Sequence, residues 1–484
     1  MSVSAAAPAD LRRRAARGVM INAGFAIGLQ GLGLVKAFVV AAFLSRSEYG
    51  IWGILVITLG TLGWLKQIGV SEKFVQQDDP DEERALQRAF TLDLVSNLAL
   101  LGLALVMLPL FAVIYGQWDI VAPGLVLLLA IPLQSLRAPT WVFYRQLRYG
   151  RQRLLDSVDP LVSFTVTIAL AIAGLGYWSL VVGFVAGIAA AALASVLASP
   201  YRLRLRWDRA TMREYVAFSW PLLVAYGSLL IIPQVSMIAG EATLGLAGAG
   251  AIALASTISS YTDRVDQIVT TTLYPALCRV QDQTALLYEA FVKSNRLTLM
   301  WGIPFGAGIA VFAGDLVHFG LGDKWAPATD LIRAFGIIAA CNHVAFNWSA
   351  FFRARGDTRP LAKVAPLIVV AFLVLALPLL LAFGLPGFAA GMAAMTLVSL
   401  LLRTHYVKRL FPQFRILRYA ARAVAPTLPA LAVVMALRAV IDERTLALAL
   451  AELSLYLGLT AVATWLLEAA LLREAVGYLR RRSG

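Results

Sequence analysis

The sequence predicts an all-α membrane protein with about fourteen transmembrane helices. Composition is the first reason, because 60% of the 484 residues are hydrophobic and only 14% are charged, whereas soluble domains are about half apolar and about a quarter charged. The second reason is that apolar runs recur along the whole chain, with lengths near the roughly 20 residues that one span requires. The third is that charged residues cluster between these runs. A soluble domain with a single membrane anchor is therefore excluded.

The apolar runs define the predicted spans in order, and a Gly, a Pro or a lone charge within a run is tolerated where a helix faces protein or a cavity. The basic segment before the first run has no cleavage pattern, so we expect a cytoplasmic tail and not a signal peptide. The predicted spans cover residues 18–44, 49–70, 88–115, 119–144, 156–174, 177–198, 214–239, 243–271, 291–313, 326–352, 361–383, 386–406, 418–441 and 445–470.

The basic residues orient these spans. The N-terminus and every second connection hold 33 of the 42 Lys and Arg residues, whereas the alternate connections hold only Arg46, Lys324 and Arg444. The positive-inside rule then predicts that both termini are cytoplasmic and that the number of spans is even. The net charge of +14 is explained by membrane orientation. A nucleic-acid partner is excluded because its binding face would be one contiguous basic patch.

A mid-chain break in "SPYRLRLRWDRATMREY" (199–215) suggests an internal duplication. Each half would open with a long span, a short turn and a second long span, a plan that recurs in transporters built from repeats. We predict two pseudo-symmetric six-helix lobes, an N-lobe over residues 1–205 and a C-lobe over residues 206–412. Residues 413–484 would hold two extra C-terminal helices and a cytoplasmic tail.

Five stretches carry a resemblance to a known family: "LSRSEYGIWGIL", "IGVSEKFVQQDD", "LYPALCRVQDQTALLYEAFVKS", "HFGLGDKWAPATDLIRAFGI" and, more weakly, "RAPTWVFYRQLRYGRQRLLDS". They resemble the polysaccharide-transporter (PST) branch of the multidrug/oligosaccharidyl-lipid/polysaccharide (MOP) flippase superfamily, the Wzx-like exporters. The resemblance implies the MOP flippase fold and alternating-access movement of an undecaprenyl-diphosphate-linked oligosaccharide across the bacterial inner membrane, for exopolysaccharide, capsule or O-antigen lipopolysaccharide synthesis. It implies no enzymatic activity. Membrane lipids, a polysaccharide polymerase and glycosyltransferases are the further partners expected.

An anionic lipid diphosphate should be bound by Lys or Arg, and an ionisable residue inside a span is a functional hypothesis by default. Lys36 lies mid-span, and the structural alternative is a salt bridge to an acidic residue, for which Asp93 is one candidate. Lys66 and Arg137 lie near span ends, where snorkelling or interfacial anchoring explains a cation equally well.

The stretch "ISSYTDRVDQIVTTTLYP" (258–275) supplies the best candidate, Arg264, on a polar stripe with Asp263 and Asp266. A polar stripe in a span faces a cavity or another helix. The two carboxylates either neutralise Arg264 in a structural network or carry a coupling proton, because protonation costs less than burying two anions. We expect no cofactor, and the driving gradient, proton or sodium, is left open.

The motif "NHVAFN" adds Asn342, His343 and Asn347, of which the last two share a helical face at i,i+4 spacing. These groups suit sugar hydroxyls or a proton relay, and interhelical hydrogen bonding is the alternative. No catalytic residue is predicted. Scattered cysteines and histidines exclude a cysteine-based metal site. The predicted substrate-binding residues are Lys36, Lys66, Arg137, Asp263, Arg264, Asp266, Asn342, His343 and Asn347.

Three other functions compete with flipping. A MATE-like, ion-coupled exporter of small molecules should line its cavity with acidic residues, whereas basic residues are at least as common within these spans. A scaffold for polymerase and glycosyltransferases would not need the intramembrane cations. A membrane glycosyltransferase would need an acidic nucleotide-sugar motif in a large loop, and the sequence has no such motif.

Overall fold

The computed structural model describes residues 25, 28–29, 31–64, 70–71, 74, 81–146, 148–209, 230–263, 266, 269–270, 273, 277, 280–355, 357, 359–441 and 443–481. Within these residues the protein is helical and has no strand. The chain divides into two compact units. Unit 1 comprises Met1–Gly250 with Leu479–Gly484, and unit 2 comprises Ala251–Tyr478.

The described residues of unit 1 include eight α-helices and the first part of a ninth. They are α1 (Gly31–Phe43), α2 (Arg46–Trp64), α3 (Glu82–Ile114), α4 (Val121–Leu128), α5 (Ala130–Ser135), α6 (Pro139–Arg145), α7 (Tyr149–Ile172), α8 (Trp178–Leu197) and α9 (Ile231–Ser260). Helix α3 begins where the side chain of Asp81 accepts a hydrogen bond from the Arg84 N–H, which satisfies one of the free N–H groups of the first turn.

Close packing of α7 against α8 forms one wall of unit 1. Glycines on α8 permit this approach, since a Cβ added at Gly183 would collide with Thr167, and one added at Gly187 would lie 2.7 Å from the carbonyl oxygen of Asp159. Helices α4 and α5 contact both α3 and α8. Small residues therefore bring the polar face of α7 into the interior of the unit, as glycines do in other membrane helix pairs.

In unit 2 the structure describes the end of α9 and eight further α-helices. They are α10 (Thr284–Asp315), α11 (Thr329–Asn342), α12 (Trp348–Ala354), α13 (Arg359–Ala371), α14 (Leu377–Leu410), α15 (Ile416–Val424), α16 (Leu428–Val440) and α17 (Leu446–Arg481). Helix α10 packs against α11, and α11 packs against α14.

Glycines break two of the long helices at tight turns. Gly245 in α9 has φ 67° and Gly384 in α14 has φ 65°, a region that glycine reaches without a Cβ penalty. The break at Gly384 lies between the predicted spans 361–383 and 386–406, as expected. The break at Gly245 comes three residues after the predicted gap between spans 214–239 and 243–271, at a residue that tolerates positive φ.

Four charges tie α10 to the C-terminal helix pair α16–α17. The Arg438 guanidinium contacts Asp315 at 2.6 Å and Glu452 at 3.0 Å, and Arg444 contacts the same two carboxylates at 2.5 and 2.7 Å. Each cation lies between two anions, so the cluster is electrically balanced. This arrangement compensates for the burial of Glu452, whose side chain is 1% exposed.

Two more contacts, at the middle and near the start of α10, hold α17 against this helix. The Tyr456 hydroxyl donates to the Pro304 carbonyl at 2.7 Å. Near the start of α10, Arg296 bonds to Glu468, which also accepts from Arg422 Nε at 3.0 Å. The pair α16–α17 is thus attached to α10 at three depths.

Eight described helices are long and apolar enough to cross a membrane, and two shorter helices are also apolar. One of the eight, Arg359–Leu410, contains both predicted spans 361–383 and 386–406, separated at Gly384. The predicted all-α, multi-pass membrane fold is confirmed. The count of fourteen and the lobe boundaries at residues 205 and 412 stay predictions.

Candidate functional site

Lys36 brings a cation into the interior of unit 1. It lies half-buried near the middle of α1, and its Nζ donates a hydrogen bond to Ser163 Oγ at 2.7 Å. Asp159, one turn away on α7, acts on Lys36 electrostatically, but among the described residues no carboxylate lies within ion-pair distance. An ammonium group has three donors, so Lys36 keeps donor capacity for an anion.

The alternative predicted for Lys36, a salt bridge to Asp93, is wrong. Asp93 accepts hydrogen bonds from Asn97 at 3.0 Å and from Ser135 at 2.7 Å, and Asn97 also bonds to Ser135. This buried network joins α3 to α5. Lys36 faces α7 instead, because α7 presents a hydroxyl and a carboxylate at that depth.

Arg137 lies at the turn between α5 and α6 and joins the same face of α7. Its two Nη atoms contact Asp159 at 3.1 Å and Asp156 at 3.3 Å. The structure therefore brings Lys36 and Arg137 together around Asp156, Asp159 and Ser163. Sequence reasoning missed these three residues, although their spacing in "DSVDPLVS" (156–163) places them on one side of a helix.

A cavity in unit 1 combines an aromatic side chain with amide groups, which are groups that suit a sugar. Its volume is about 270 Å³, and it is lined mainly by apolar side chains together with Trp52, Asn97 and Gln134. Trp52 stands edge-on to Phe184 with ring centroids 6.4 Å apart. An aromatic face beside amide groups suits a glycan, because the ring stacks on the sugar and the amides bond to hydroxyls.

Unit 2 holds a second polar cluster between the residues after α9 and the end of α11. His343 is fully buried, and its Nδ1 lies 2.7 Å from Asp266 Oδ2. Ligand atoms of Asp263, Asp266 and His343 all lie within 4.8 Å of one another. Such a set can hold a proton or a cation, and the second nitrogen of His343 is buried without a partner among the described residues.

Arg403 completes this cluster and was missed as a site residue. It was assigned to a cytoplasmic basic loop, whereas it lies inside α14, donates to the Asn342 carbonyl at 2.9 Å, and acts electrostatically on Asp263 and Asp266. Its position directly after the apolar run "LVSLLL" was the available signal. Arg403 thus contacts Asn342 through its backbone carbonyl, and the predicted binding role of the Asn342 side chain stays a prediction.

The helical face predicted for His343 and Asn347 does not exist. Helix α11 ends at Asn342 and α12 begins at Trp348, with Ala345 between them at φ 56°. Asn347 instead accepts from Asn295 and donates to Ser294, each at 2.8 Å.

This geometry matches the interhelical alternative for Asn347. Lys66 and Arg264 lie outside the described residues.

The sequence is similar to those of known polysaccharide biosynthesis proteins. Residues 39–330 match a family described as polysaccharide biosynthesis protein. The lipopolysaccharide biosynthesis protein WzxC of Escherichia coli (strain K12) is 20% identical over 343 residues, covering 68% of each chain. The succinoglycan biosynthesis transport protein ExoT of Rhizobium meliloti (strain 1021) is 22% identical over 338 residues, again covering 68% of each.

Solved structures share the fold. The lipid II flippase MurJ, in an inward closed conformation, superposes with a TM-score of 0.70 at 13% identity, covering 93% of this chain and 99% of MurJ. An inward-facing multidrug resistance MATE transporter of the MOP superfamily gives a TM-score of 0.64 at 13% identity, covering 82% of this chain and all of that one. The predicted MOP fold is confirmed, and since the family match spans more than half of the chain, this protein belongs to the polysaccharide biosynthesis protein family.

Proposed function

We propose that this protein is a flippase that moves an undecaprenyl-diphosphate-linked oligosaccharide across the bacterial inner membrane by alternating access. The observation that carries the proposal is Lys36, an ammonium inside a membrane helix that is hydrogen-bonded to a neutral hydroxyl. Asp159 acts on Lys36 electrostatically but is already paired with Arg137 at 3.1 Å. The ammonium therefore keeps donors for a further anion, as an ionisable group inside a span with a functional role would, and a lipid diphosphate supplies one in this proposal. The names of WzxC, ExoT and MurJ support a cargo of this class.

In this proposal, unit 1 receives the diphosphate and the first sugars. Lys36 supplies the cation, Arg137 is held beside it by two carboxylates, and the cavity beside Trp52 takes a sugar ring. Both termini are cytoplasmic, and glycosyltransferases and a polymerase act before and after the flip. No covalent step is needed, because the cargo leaves with the bonds it had on entry.

A proton is the proposed coupling ion, carried by Asp263, Asp266 and His343 of unit 2. A carboxylate and an imidazole 2.7 Å apart can share a proton, whereas sodium prefers an all-oxygen shell, as hard cations do. In proteoliposomes an imposed pH gradient should drive flipping by the wild type but not by Asp266→Asn. Transport driven by a sodium gradient alone would contradict the assignment.

The cargo is tested in a strain that lacks the gene. We expect surface polysaccharide to be lost and the lipid-linked oligosaccharide to accumulate in membrane extracts, as measured by mass spectrometry. Complementation with Lys36→Met should restore at most about a tenth of wild-type export at equal protein level, which corresponds to a loss of about 1.4 kcal/mol.

Arg333→Met is the matched control, since Arg333 is half-exposed, pairs with Asp330 at 2.8 Å and belongs to neither polar cluster. It should complement fully. Normal export by Lys36→Met would contradict the proposed binding site. Unchanged surface polysaccharide in the deletion strain would contradict the flippase function itself.

Small-molecule export is the second candidate. It is favoured by the carboxylates Asp263 and Asp266 and by the fold shared with MATE transporters. It predicts that the deletion strain becomes more sensitive to cationic dyes, and that Asp263→Asn with Asp266→Asn abolishes dye efflux. Flipping predicts unchanged dye sensitivity.

A further inference from the structure

An extended basic segment lies along the first turns of α3 in unit 1. This strap, residues 201–206, is fixed to α3 by side chains of that helix. Gln87 Nε2 donates to the Arg202 carbonyl at 3.1 Å, and the Arg206 N–H donates to Thr91 Oγ1 at 2.7 Å. The two contacts are one helical turn apart on α3, so the strap runs parallel to the helix.

A third contact anchors the start of the strap. The Tyr201 hydroxyl donates to Glu82 at 2.7 Å. Burial, together with this hydrogen bond to a carboxylate, raises the pKa of Tyr201 to about 12. The hydroxyl therefore remains protonated throughout the physiological range, and the anchor does not depend on pH.

The strap separates apolar from basic side chains. Its sequence alternates Arg and Leu with the period of two that an extended chain has. Leu203 and Leu205 line a cavity of about 620 Å³, whereas Arg202, Arg204 and Arg206 are exposed. The rest of the cavity wall is apolar too, with side chains from α3, α5 and α8 that include Phe90, Leu94, Leu193 and Val196.

Acidic side chains near the strap are already engaged. Glu82 accepts from Tyr201 and Gln146, Glu83 accepts from Gln87, and Asp208 pairs with Arg88 at 3.8 Å. The guanidinium groups of the strap make no hydrogen bond or ion pair with any residue that the structure describes. Three cations that have no partner among the described residues therefore stand beside an apolar cavity.

The position of the strap matches a membrane interface. Helix α3 has 33 residues, which is about 50 Å of helix, whereas the hydrocarbon core is about 30 Å thick. The charged first turns of α3 must extend beyond the core, and its apolar run starts near Phe90. The cavity, walled by Phe90 and Leu94, then lies at the depth of acyl chains, with the guanidinium groups at headgroup level.

We propose that the strap and the cavity of unit 1 bind an anionic phospholipid of the surrounding bilayer. The three guanidinium groups hold its phosphate, and one acyl chain fills the cavity. Free phosphate would leave the cavity unused, and a neutral lipid would leave the cations unpaired. The volume lies within the range of about 300–1,000 Å³ that ligand pockets occupy.

Native mass spectrometry of the full chain in detergent, titrated with phosphatidylglycerol or phosphatidylcholine, tests the site. Each cation near an anionic surface strengthens binding about fivefold. The triple variant Arg202→Gln, Arg204→Gln and Arg206→Gln should therefore bind phosphatidylglycerol on the order of 100-fold more weakly than wild type. Leu193→Trp, which fills the cavity and keeps the charges, should weaken the same binding.

The control removes three exposed arginines from unit 2, Arg355, Arg359 and Arg415, and should bind as wild type does. Size-exclusion profiles establish that each variant is folded. Equal binding of the two lipids, an equal loss in the control, or full binding by Leu193→Trp would each overturn the proposal. Displacement of phosphatidylglycerol by a neutral polyprenol would assign the cavity to the isoprenoid chain instead. None of these outcomes depends on flipping, so the two proposals fail separately.

Discussion

Arg137 is both a binding candidate and a structural residue. Its guanidinium joins Asp156 and Asp159, and all three side chains are about one-quarter exposed. Removal of a fully buried ion-pair partner costs about 3–5 kcal/mol, because the remaining charge is left without a counter-charge. Partial exposure should reduce that cost here.

Arg137→Met should therefore destabilise the protein, because Asp159 loses its guanidinium partner and Asp156 is left with the more distant Arg153 at 3.8 Å. We expect a fall in the thermal midpoint of the detergent-solubilised protein, measured by size-exclusion fluorescence after heating. Adding Asp156→Asn and Asp159→Asn should recover most of the loss. If the triple variant is no more stable than Arg137→Met, the arginine acts through packing and not through charge.

At the scale of elements, the contact between α7 and α8 depends on Gly187. Gly→Ala within a helix normally adds up to about 1 kcal/mol of stability. A Cβ at Gly187 would press on the Asp159 carbonyl and on Ser163, and overpacking typically costs about 1–3 kcal/mol.

Gly187→Ala should therefore lower the thermal midpoint, whereas Gly102→Ala should leave it unchanged or raise it. Gly102 lies on α3 with no atom near its missing Cβ, which makes it a matched control. Equal midpoints for the two variants would show that α8 can shift away from α7 without cost. Because Ser163 is the partner of Lys36, export should fall with Gly187→Ala as well.

The C-terminal pair α16–α17 is a second element whose attachment can be tested. Hydrogen bonds to Glu452 and Asp315 raise the pKa of Arg444, so its charge persists at any pH that the protein survives. Arg438→Met should leave Glu452 partly unpaired and allow trypsin to release α16–α17 at lower temperature. The double variant Arg438→Met with Glu452→Gln should resist trypsin to a higher temperature than Arg438→Met alone. If trypsin releases α16–α17 from Arg438→Met at the same temperature as from the wild type, the charges do not attach this helix pair.

The predicted topology concerns the whole molecule. Green fluorescent protein and alkaline phosphatase can be fused after residue 481 and within residues 146–148. Both positions are predicted to be cytoplasmic, so the fusions should fluoresce and show no phosphatase activity. A fusion at residues 116–117 should show phosphatase activity and no fluorescence. A single reversed reporter would contradict either the orientation or the count of fourteen spans.

The sequence predicted the helices well where a local signal exists. Apolar runs located the helices, because membrane helices satisfy their backbone groups internally and need no distant partner. The turn at Gly384 was predicted because Gly and Pro coincide there. The break between α11 and α12 was missed, since "HVAF" has no glycine or proline and Ala345 has a positive φ of 56° that alanine rarely adopts.

The site was harder to predict than the fold. Lys36 and Asp266 were proposed as site residues because a charge inside an apolar run is visible locally, and their binding roles stay predictions. Their partners Ser163 and His343 lie 127 and 77 residues away along the chain, so the pairing depends on tertiary structure. Arg403 was missed because a basic residue at a span end is expected on the cytoplasmic side, and this expectation outweighed its position directly after an apolar run.

The attachment of α16–α17 also has a consequence for biogenesis. Asp315 on α10 is synthesised 123 residues before Arg438, and Arg296 is synthesised 172 residues before Glu468. At about 5–20 residues per second, roughly 10–30 s pass between the synthesis of Arg296 on α10 and that of its partner Glu468. During this interval the insertion machinery must shelter a helix with an unpaired charge at each end, and a ribosome that stalls within α16 would leave both exposed to lipid.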